Sequence, residues 1–423
     1  MQHLQAFIAE FDALLARRRA AMTTPDVRAT VAEIIARVRA DGDAALCALT
    51  ERFDGCALTP AQLRVAPAEA APPSEPALQR AIAQASANIR FFHEQQLRPA
   101  WSALNPDGGR VGEMFRPVER AGVYVPGGTA PLISTVLMTV IPAQVAGVAH
   151  ICVATPPDRN GQINPGILAA CHACGITEIY RVGGAQAIAA LAFGTAAIPR
   201  VDVIAGPGNK YVTEAKRQVF GHVGVDLLAG PSESMIIIDN TANPAWVAAD
   251  ILSQAEHLDS ATYIVSVPEM IMDRVEAHIY ALLGERGASS ALKKAVAERM
   301  VCIHVQSLDA AADVANLIAP EHLQIITEDN PRVLARLRNA GAVFLGPHAP
   351  VPLGDFVAGP SHVLPTGCAA RFSSGLSTDV FRKRISVMEC DAAAFARMAD
   401  AIAAFGTAEQ LPAHAHTATI RRT

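Results

Sequence analysis

The heptapeptide APEHLQI, residues 319–325, places a carboxylate beside an imidazole directly after a proline. An ordinary imidazole has a pKa of about 6.5, so a histidine can take up and release a proton at neutral pH. Glu321 and His322 could therefore form an acid–base pair. They could equally occupy the first turn of a helix, where proline and negative charge are both favoured. The local pattern alone favours the helix start, because short motifs carry a real false-positive rate.

Oxygen and nitrogen donors of the kinds that zinc accepts lie in three distant segments. SQAEH, at the end of a helical run, puts Gln254 and His257 three residues apart on one helical face. The other two segments add Asp355 and His362 in GDFVAGPSHVLPT, and Glu409, His414 and His416 in AEQLPAHAH. A single histidine is more often a hydrogen-bonded structural residue, so spacing alone does not assemble these ligands into a site.

Two glycine-rich turns, in RVGGAQAIAAL and IAGPGNKYVTEAK, each follow a short apolar run and open a helix. A phosphate or a cofactor can bind at such positions. Neither turn contains the G-x-G-x-x-G fingerprint, and tight turning explains the glycines equally well. It leaves Gln186 and Asn209 unexplained, two polar side chains at the starts of helices. These two side chains lead us to predict nucleotide binding at the two turns.

These residues belong to a chain of 423 residues that is 51% hydrophobic and 18% charged, enough for two or three domains with large aliphatic cores. A net charge of −5 without a basic run argues against a nucleic-acid partner. Eight scattered cysteines and the lack of a signal peptide favour a reducing cytoplasm. Residues 121–157 lack Asp, Glu, Lys and Arg, but glycines and prolines interrupt them, which favours buried core over a membrane span.

The order of elements predicts an α/β fold. A helical N-terminal segment comes first, with a break near Gly42, and from residue 121 short apolar runs alternate with helices. This alternation is typical of βαβ units, and two parallel sheets fit it better than one very wide sheet. Cys171 and Cys174 lie inside an apolar helical run without a second pair, which favours core packing over metal or redox chemistry. After about residue 370 the alternation fades into an alanine-rich helical tail.

Together, nine motifs between about residue 30 and the C-terminus resemble the histidinol dehydrogenase family in sequence and in order. They are GVYVPGG, VGGAQAIAALAFGT, GPGNKYVTEAKRQV, AGPSE, SQAEH, APEH, GDFVAGPSHVLPT, FSSGLS and AEQLPAH. That family oxidises a primary alcohol to a carboxylic acid in two NAD-dependent steps, through an aldehyde held in the site. Its members are zinc-containing homodimers with two incomplete Rossmann-like domains and an exchanged C-terminal tail.

The resemblance implies a role for each matching residue. The implied catalytic pair is Glu321 and His322, which decides the opening alternative in favour of acid–base chemistry. The implied zinc ligands are Gln254, His257, Asp355 and His414. The implied NAD contacts are Tyr124, Gln186 and Asn209. The implied substrate contacts are Ser232, Gln254, His257, His322, Asp355, His362, Glu409 and His414.

The resemblance also implies domains and an activity. Residues 1–122 with 234–370 would form the first Rossmann-like domain, 123–233 the NAD-binding second, and 371–423 a dimerisation tail. The expected activity is zinc-dependent, four-electron oxidation of L-histidinol to L-histidine in the cytoplasm. A related enzyme of another small primary alcohol, such as a sulfonated propanediol, stays open, because Leu258 stands where the family usually has a small or acidic residue. Glu409, which resembles the imidazole-side contact, favours histidinol.

Overall fold

The structure is a computed structural model that describes residues 2–5, 24–67, 69, 75–127, 131–230, 232–256, 260–267, 270–285 and 289–422. We expected the N-terminal segment LQAFIAEFDALLARRR to be helical; its first two residues, Leu4 and Gln5, belong to a strand instead, and the rest lies outside the described residues. His257 and Leu258 also lie outside them.

Three sheets contain the strands of the described residues. Numbered in chain order, the strands are β1 (Gln2–Gln5), β2 (Trp101–Leu104), β3 (Arg110–Pro117), β4 (Arg120–Tyr124), β5 (His150–Thr155), β6 (Glu178–Arg181), β7 (Val203–Ala205), β8 (Gly224–Val225), β9 (Glu233–Asp239), β10 (Ala261–Val267), β11 (Met300–His304), β12 (His322–Ile326), β13 (Ala342–Leu345) and β14 (Arg382–Glu389). Sheet A is parallel, with the order β1-β11-β10-β9-β12-β13, and sheet B is parallel, with the order β6-β5-β4-β7-β8. Sheet C is antiparallel, with the order β14-β3-β2.

Helices connect and cover these strands. In chain order, those within the described ranges are α1 (Pro25–Asp54), α2 (Pro76–Glu94), α3 (Ile133–Ala146), α4 (Pro165–Ala173), α5 (Gly184–Phe193), α6 (Lys210–Val219), α7 (Pro244–Ala255), α8 (Met270–Glu285), α9 (Ser290–Arg299), α10 (Leu308–Ile318), α11 (Asn330–Arg336), α12 (Val351–Phe356), α13 (Ala392–Ala408) and α14 (Pro412–Thr419). The two predicted parallel sheets and the α/β class are thereby confirmed. None of the described helices combines the length and the apolar character that crossing a membrane requires.

The strands of sheets A and B form where the sequence is apolar on both faces, because helices cover each sheet on two sides. All seven residues of β9 are buried, for example, and so are all five of β12. The predicted break in α1 is confirmed at Gly42, whose φ of 53° and ψ of −128° interrupt the helix. Cys171 is buried in α4, and burial raises the pKa of its thiol, as expected for a core residue.

The N-terminal helices pack on sheet B. Buried side chains of α1 share one core with Tyr124 of β4 and with residues of α5 and α6, and α2 shares another with α3 and α4. The expected boundaries grouped residues 1–122 with the domain of sheet A instead. β1 pairs with β11 of sheet A, and the division of the chain into domains stays a prediction. The apolar stripe of a helix does not identify the sheet that it covers, so the sequence could not assign this partner.

The C-terminal tail begins with a strand before it becomes helical. β14 pairs along its whole length with β3, and α13 then lies over the hairpin that joins β2 to β3, where Arg397 Nε donates a hydrogen bond to the carbonyl oxygen of Asp107 at 2.8 Å. All residues of β14 after Arg382 are exposed in the single chain. Large apolar side chains are exposed with them on sheet C and the tail: Trp101, Leu104, Ile385, Val387, Met388 and Phe405.

Candidate active site

Glu321 and His322 lie between a helix that has ended and a strand that begins. Helix α10 stops at Ile318, and Ala319 adopts a left-handed conformation with φ of 51°, while its N–H donates to the carbonyl oxygen of Ala315. β12 then starts at His322. The local interpretation as a helix start is therefore wrong. The pair instead occupies the amino-terminal edge of sheet A, because β12 is held in register between β9 and β13.

His322 is buried between two carboxylates. Its Nδ1 lies 3.7 Å from Oε2 of Glu321, and its Nε2 lies 3.5 Å from Oδ1 of Asp355, at the end of α12. Both separations exceed a normal hydrogen bond, and neither ring nitrogen has a hydrogen-bond partner in the described part of the chain. A buried imidazole with two unpaired nitrogens is costly to maintain, so this ring is poised to bind something.

The carboxylate of Glu321 is held in place from β9. Its Oε2 accepts a hydrogen bond from the backbone N–H of Glu233 at 3.1 Å, and the neighbouring Ser232 side chain favours its ionised form. Burial raises the pKa of Glu321 above its ordinary value, although His322 and these two residues act in the opposite direction. A carboxylate with a raised pKa is a stronger base than an exposed one.

The pKa of His322 responds to opposing influences. Burial lowers it, but the negative charges of Glu321 and Asp355 outweigh that effect and leave the pKa above its ordinary value. The two carboxylates thus stabilise an imidazolium at this position. The cluster can accept a proton from a bound molecule and keep it in a site that is closed to bulk water.

His362 connects this cluster to the other sheet. Its Nδ1 lies 2.9 Å from the carbonyl oxygen of Asp355, so Nδ1 carries the proton, and its Nε2 accepts from the hydroxyl of Thr135 at 3.0 Å. Thr135 lies in the first turn of α3, which follows β4 of sheet B. The amino-terminal edge of sheet A therefore faces the carboxyl-terminal edge of sheet B.

The expected zinc ligands are only partly brought together. Gln254 is buried in the last turn of α7, and Asp250, one turn earlier, accepts a hydrogen bond from Gln324, which follows His322 by two residues in β12. This contact places the end of α7 beside the strand that carries His322. His257 lies outside the described residues. Within the described ranges, no group of three His, Cys, Asp or Glu side chains could hold a metal ion.

Glu409 and His414 stay apart from the cluster in the single chain. Both are exposed on the tail, Glu409 after α13 and His414 in α14. In the described residues, no hydrogen bond or ion pair of the structure joins either side chain to Glu321, His322 or Asp355.

The carboxyl-terminal edge of sheet B collects the three residues implied as NAD contacts. The phenol oxygen of Tyr124, at the end of β4, accepts a hydrogen bond from the N–H of Gly184 at 3.1 Å, and Gln186 is buried two residues later, in the first turn of α5. Asn209 precedes α6, where its Oδ1 accepts from the N–H groups of Tyr211 and Val212. This N-cap gives Asn209 a structural role that the sequence analysis did not find.

A buried ion pair, which the sequence analysis missed, holds the turn before Asn209. Nζ of Lys216 lies 2.6 Å from Oδ1 of Asp226, both side chains are at most 3% exposed, and Lys216 also donates to the carbonyl oxygen of Gly206. The other oxygen of Asp226 accepts from the N–H of Gly206 at 2.8 Å. Gly206 has φ of 116°, and a Cβ there would lie 2.1 Å from the carbonyl oxygen of Tyr124. The sequence contained one sign of this ion pair, the charged Lys216 inside a helix that was predicted to pack against a sheet.

These features are those of an α/β enzyme in which a buried carboxylate–imidazole–carboxylate cluster lies between two parallel sheets. The family model described as histidinol dehydrogenase matches residues 17–422. Histidinol dehydrogenase of Heliobacterium mobile is 46% identical over 400 residues, 94% of each chain. That of a Synechococcus strain is 48% identical over 398 residues, 93% of this chain and 92% of its own.

The crystal structure of histidinol dehydrogenase from Elizabethkingia anophelis superposes on the whole chain and 98% of its own, with a TM-score of 0.93 at 36% identity. The chain belongs to the histidinol dehydrogenase family, and it is an oxidoreductase.

Proposed function

We propose that this protein oxidises L-histidinol to L-histidine through histidinal, with NAD as the electron acceptor in both steps, as a step of histidine biosynthesis. The observation that carries the proposal is the buried imidazole of His322, whose two unpaired nitrogens lie between two carboxylates at the junction of the sheets. The family supports the substrate, and the edge of sheet B supports the nucleotide. NAD, when bound, accepts the two electrons that leave the substrate carbon in each step.

The first step converts a primary alcohol to an aldehyde and requires a base for the hydroxyl proton. His322 accepts that proton, and Glu321 and Asp355 stabilise the imidazolium that forms. His362, held by Thr135 and the backbone of Asp355, keeps α12 against α3 and so fixes the position of the Asp355 carboxylate.

The second step converts the aldehyde to an acid and adds an oxygen atom from water. Glu321 accepts a proton from that water, because burial raises the pKa of its carboxylate and the hydrogen bond from the backbone N–H of Glu233 fixes its orientation. The two neighbouring residues thus divide the work, with His322 serving the hydroxyl and Glu321 serving water.

The expected ligands of this chain suit a zinc ion, but the described part of one chain does not bring all of them together. Gln254, Asp355, His257 and His414 would hold it, and their oxygen and nitrogen donors suit zinc. Gln254 and Asp355 belong to elements beside the cluster, whereas His414 is exposed on the tail. Zinc, when bound, supplies a charge that holds the polar atoms of the substrate in a fixed geometry.

The exposed tail supports a homodimer in which each tail completes the site of the partner subunit. Sheet C and the tail expose large apolar side chains, and an exchanged element is a low-cost route to a two-fold dimer. Glu409 and His414 would then act in the partner's site.

The substrate is tested by comparing specificity constants. We expect kcat/KM for L-histidinol to exceed that for a sulfonated propanediol by more than about 10²-fold, because a site built to hydrogen-bond an imidazole is left with unpaired polar groups by a substrate that lacks one. NADH formation by zinc-loaded protein measures both. A higher kcat/KM for the diol would assign the enzyme to another alcohol, and no NADH with any primary alcohol would refute the proposal.

Metal removal tests the ligand set. We expect a chelator to abolish activity and zinc to restore it, and we expect His414→Ala and Gln254→Ala to purify with less zinc than the wild type. Added zinc should also raise the temperature of thermal unfolding of the apoprotein, since a ligand that binds only the folded state stabilises it. His416→Ala is the matched control, an exposed histidine two residues from His414 that should keep the wild-type zinc content. Equal zinc content in all the variants would contradict the assignment.

A further inference from the structure

Asp54 is a half-buried residue with one buried carboxylate oxygen, and no described residue forms a hydrogen bond or an ion pair with that oxygen. It is the last residue of α1, which ends where Gly55 turns into a left-handed conformation and donates its N–H to the carbonyl oxygen of Glu51. Oδ2 of Asp54 is buried, and among the described residues it has no hydrogen-bond partner. Burial alone raises the pKa of this carboxyl to about 6. An unpaired buried carboxylate oxygen destabilises the fold, so we expect a bound ligand to donate a hydrogen bond to it.

Asp54 lies at the carboxyl-terminal edge of sheet B. α1 packs in one core with Tyr124 and with α5, which opens at Gly184 on that edge. A Cβ on Gly55 would lie 3.5 Å from Cγ of Arg159, in the loop that follows β5, so the end of α1 is at this edge. Burial raises the pKa of Tyr124 to about 12, and the negative charge of Asp54 adds to that effect. The phenol oxygen in turn accepts the N–H of Gly184.

A second buried polar group on this edge also lacks a partner. The hydroxyl of Thr155, at the end of β5, is fully buried and has no hydrogen bond within the described ranges. Thr155 pairs in register with Arg181 of β6, and a Cβ on Gly127, after β4, would lie 2.8 Å from the Thr155 hydroxyl oxygen. The edge thus offers an unpaired acceptor on one element and an unpaired hydroxyl on another, which suits a ligand that has hydroxyl groups of its own.

Charges of both signs lie near Asp54, since Nε of the exposed Arg159 would lie 3.9 Å from a Cβ on Gly55. Burial raises the pKa of the neighbouring Cys56 thiol, and the charges of Asp158 and Asp54 raise it further, against the opposite effect of Arg181. Arg181 is nearly fully buried, and its guanidinium already donates to the carbonyl oxygens of Gly161, Gln62 and Arg64 and to Glu69. That cation is therefore not available to a second negative group.

We propose that Asp54 accepts hydrogen bonds from the ribose hydroxyls of NAD and thereby excludes NADP, whose 2′-phosphate would meet the carboxylate. This inference rests on the proposed use of NAD. In doubly wound folds an acidic side chain after a strand can bind a ribose in this way. In this chain the acidic side chain is at the end of α1, a helix that precedes sheet B in the sequence.

Asp54→Ala and Asp54→Asn test the assignment with L-histidinol at saturation. We expect the KM and the dissociation constant for NAD to rise about 10- to 100-fold in Asp54→Ala, the range for loss of a hydrogen bond to a charged group. kcat should stay near the wild-type value, because the residue is remote from His322. We expect a smaller loss in Asp54→Asn, whose amide oxygen still accepts. Both variants should lower the ratio of kcat/KM for NAD to kcat/KM for NADP, because they lack the carboxylate that repels the 2′-phosphate.

Two controls keep the result interpretable. Glu51→Gln removes an exposed carboxylate one turn earlier in the same helix and should leave both constants unchanged. The folded-state pKa of Asp54 exceeds the unfolded value, so the stability of the fold decreases as the pH rises from 3.8 to about 6, and the loss is complete above that pH. Asp54→Asn should therefore unfold at the wild-type temperature or above it at pH 8.

The inference and the proposed function fail in different ways. Wild-type protein that neither binds NAD nor reduces it with histidinol would refute the proposed function. Wild-type protein that does both, beside a folded Asp54→Ala variant with unchanged KM and dissociation constant for NAD, would overturn the role of Asp54 alone. A fall in kcat with unchanged KM would overturn that role as well.

Discussion

Substitution of His322 by asparagine is expected to lower kcat for L-histidinol by about 10²–10⁴, the effect of losing a general base. The imidazole is the buried group that can take the hydroxyl proton, and both of its nitrogens are free of hydrogen bonds in the described residues. Asparagine fills part of the same space without a basic nitrogen. The KM for NAD should change little, because the nucleotide edge belongs to the other sheet. Steady-state kinetics with zinc-loaded protein measure both constants.

Glu321→Gln is the companion variant that separates the two oxidations. It keeps the shape of the side chain and removes the group that accepts a proton from water, so aldehyde oxidation should fall by about 10²–10⁴ while alcohol oxidation falls less. The half-reactions are measured separately with histidinol and histidinal as substrates. Equal losses of activity in both half-reactions of Glu321→Gln would contradict the separate roles of the two residues. A His322→Asn enzyme with wild-type kcat would show that His322 is not the general base.

The second large effect concerns the tail. His322→Asn and His414→Ala should each be nearly inactive as homodimers, and a heterodimer of the two should recover towards half of the wild-type activity. If the tail crosses over, one site of the heterodimer receives both defects and the other receives neither. The exposed positions of Glu409 and His414 in the single chain motivate this expectation.

The experiment requires heterodimers of verified composition. Co-expression with two different affinity tags and successive purification on both provides them, and zinc content is measured in parallel. If each tail served its own subunit, every site of the heterodimer would keep one defect and the activity would stay at the level of the single variants. That outcome would rule out the exchanged tail. A heterodimer of His416→Ala with His322→Asn is the matched control for tagging and assembly.

Much of the fold follows from sequence pattern. Alternation of apolar runs and helices from residue 121 predicted both parallel sheets, because strands covered on two faces must be apolar throughout. The break at Gly42 was predicted because glycine weakens a helix, and it is observed there. Cys171 was predicted to be core and is buried. The resemblance of nine ordered motifs identified the family that the comparisons then showed.

A local sequence pattern was not sufficient where the same residues are compatible with two different structures or roles. Proline followed by glutamate suits a helix start, yet Glu321 follows a helix end and precedes a strand, since β12 pairs on both sides with β9 and β13. Asn209 was noted for a cofactor, and its side chain also caps α6. In both cases the residue type is correct for two roles, and only the neighbouring elements distinguish them.

Sequence by itself therefore determined the family, the α/β class and the identities of the candidate catalytic residues. Tertiary structure decided that the amino-terminal edge of sheet A faces the carboxyl-terminal edge of sheet B, joined through His362 and Thr135. It also decided that α1 covers sheet B and ends with Asp54 at the edge of that sheet, and that Lys216 and Asp226 pair beneath the Gly206 turn. These contacts join residues far apart in the chain, and their energies depend on burial, which packing alone creates.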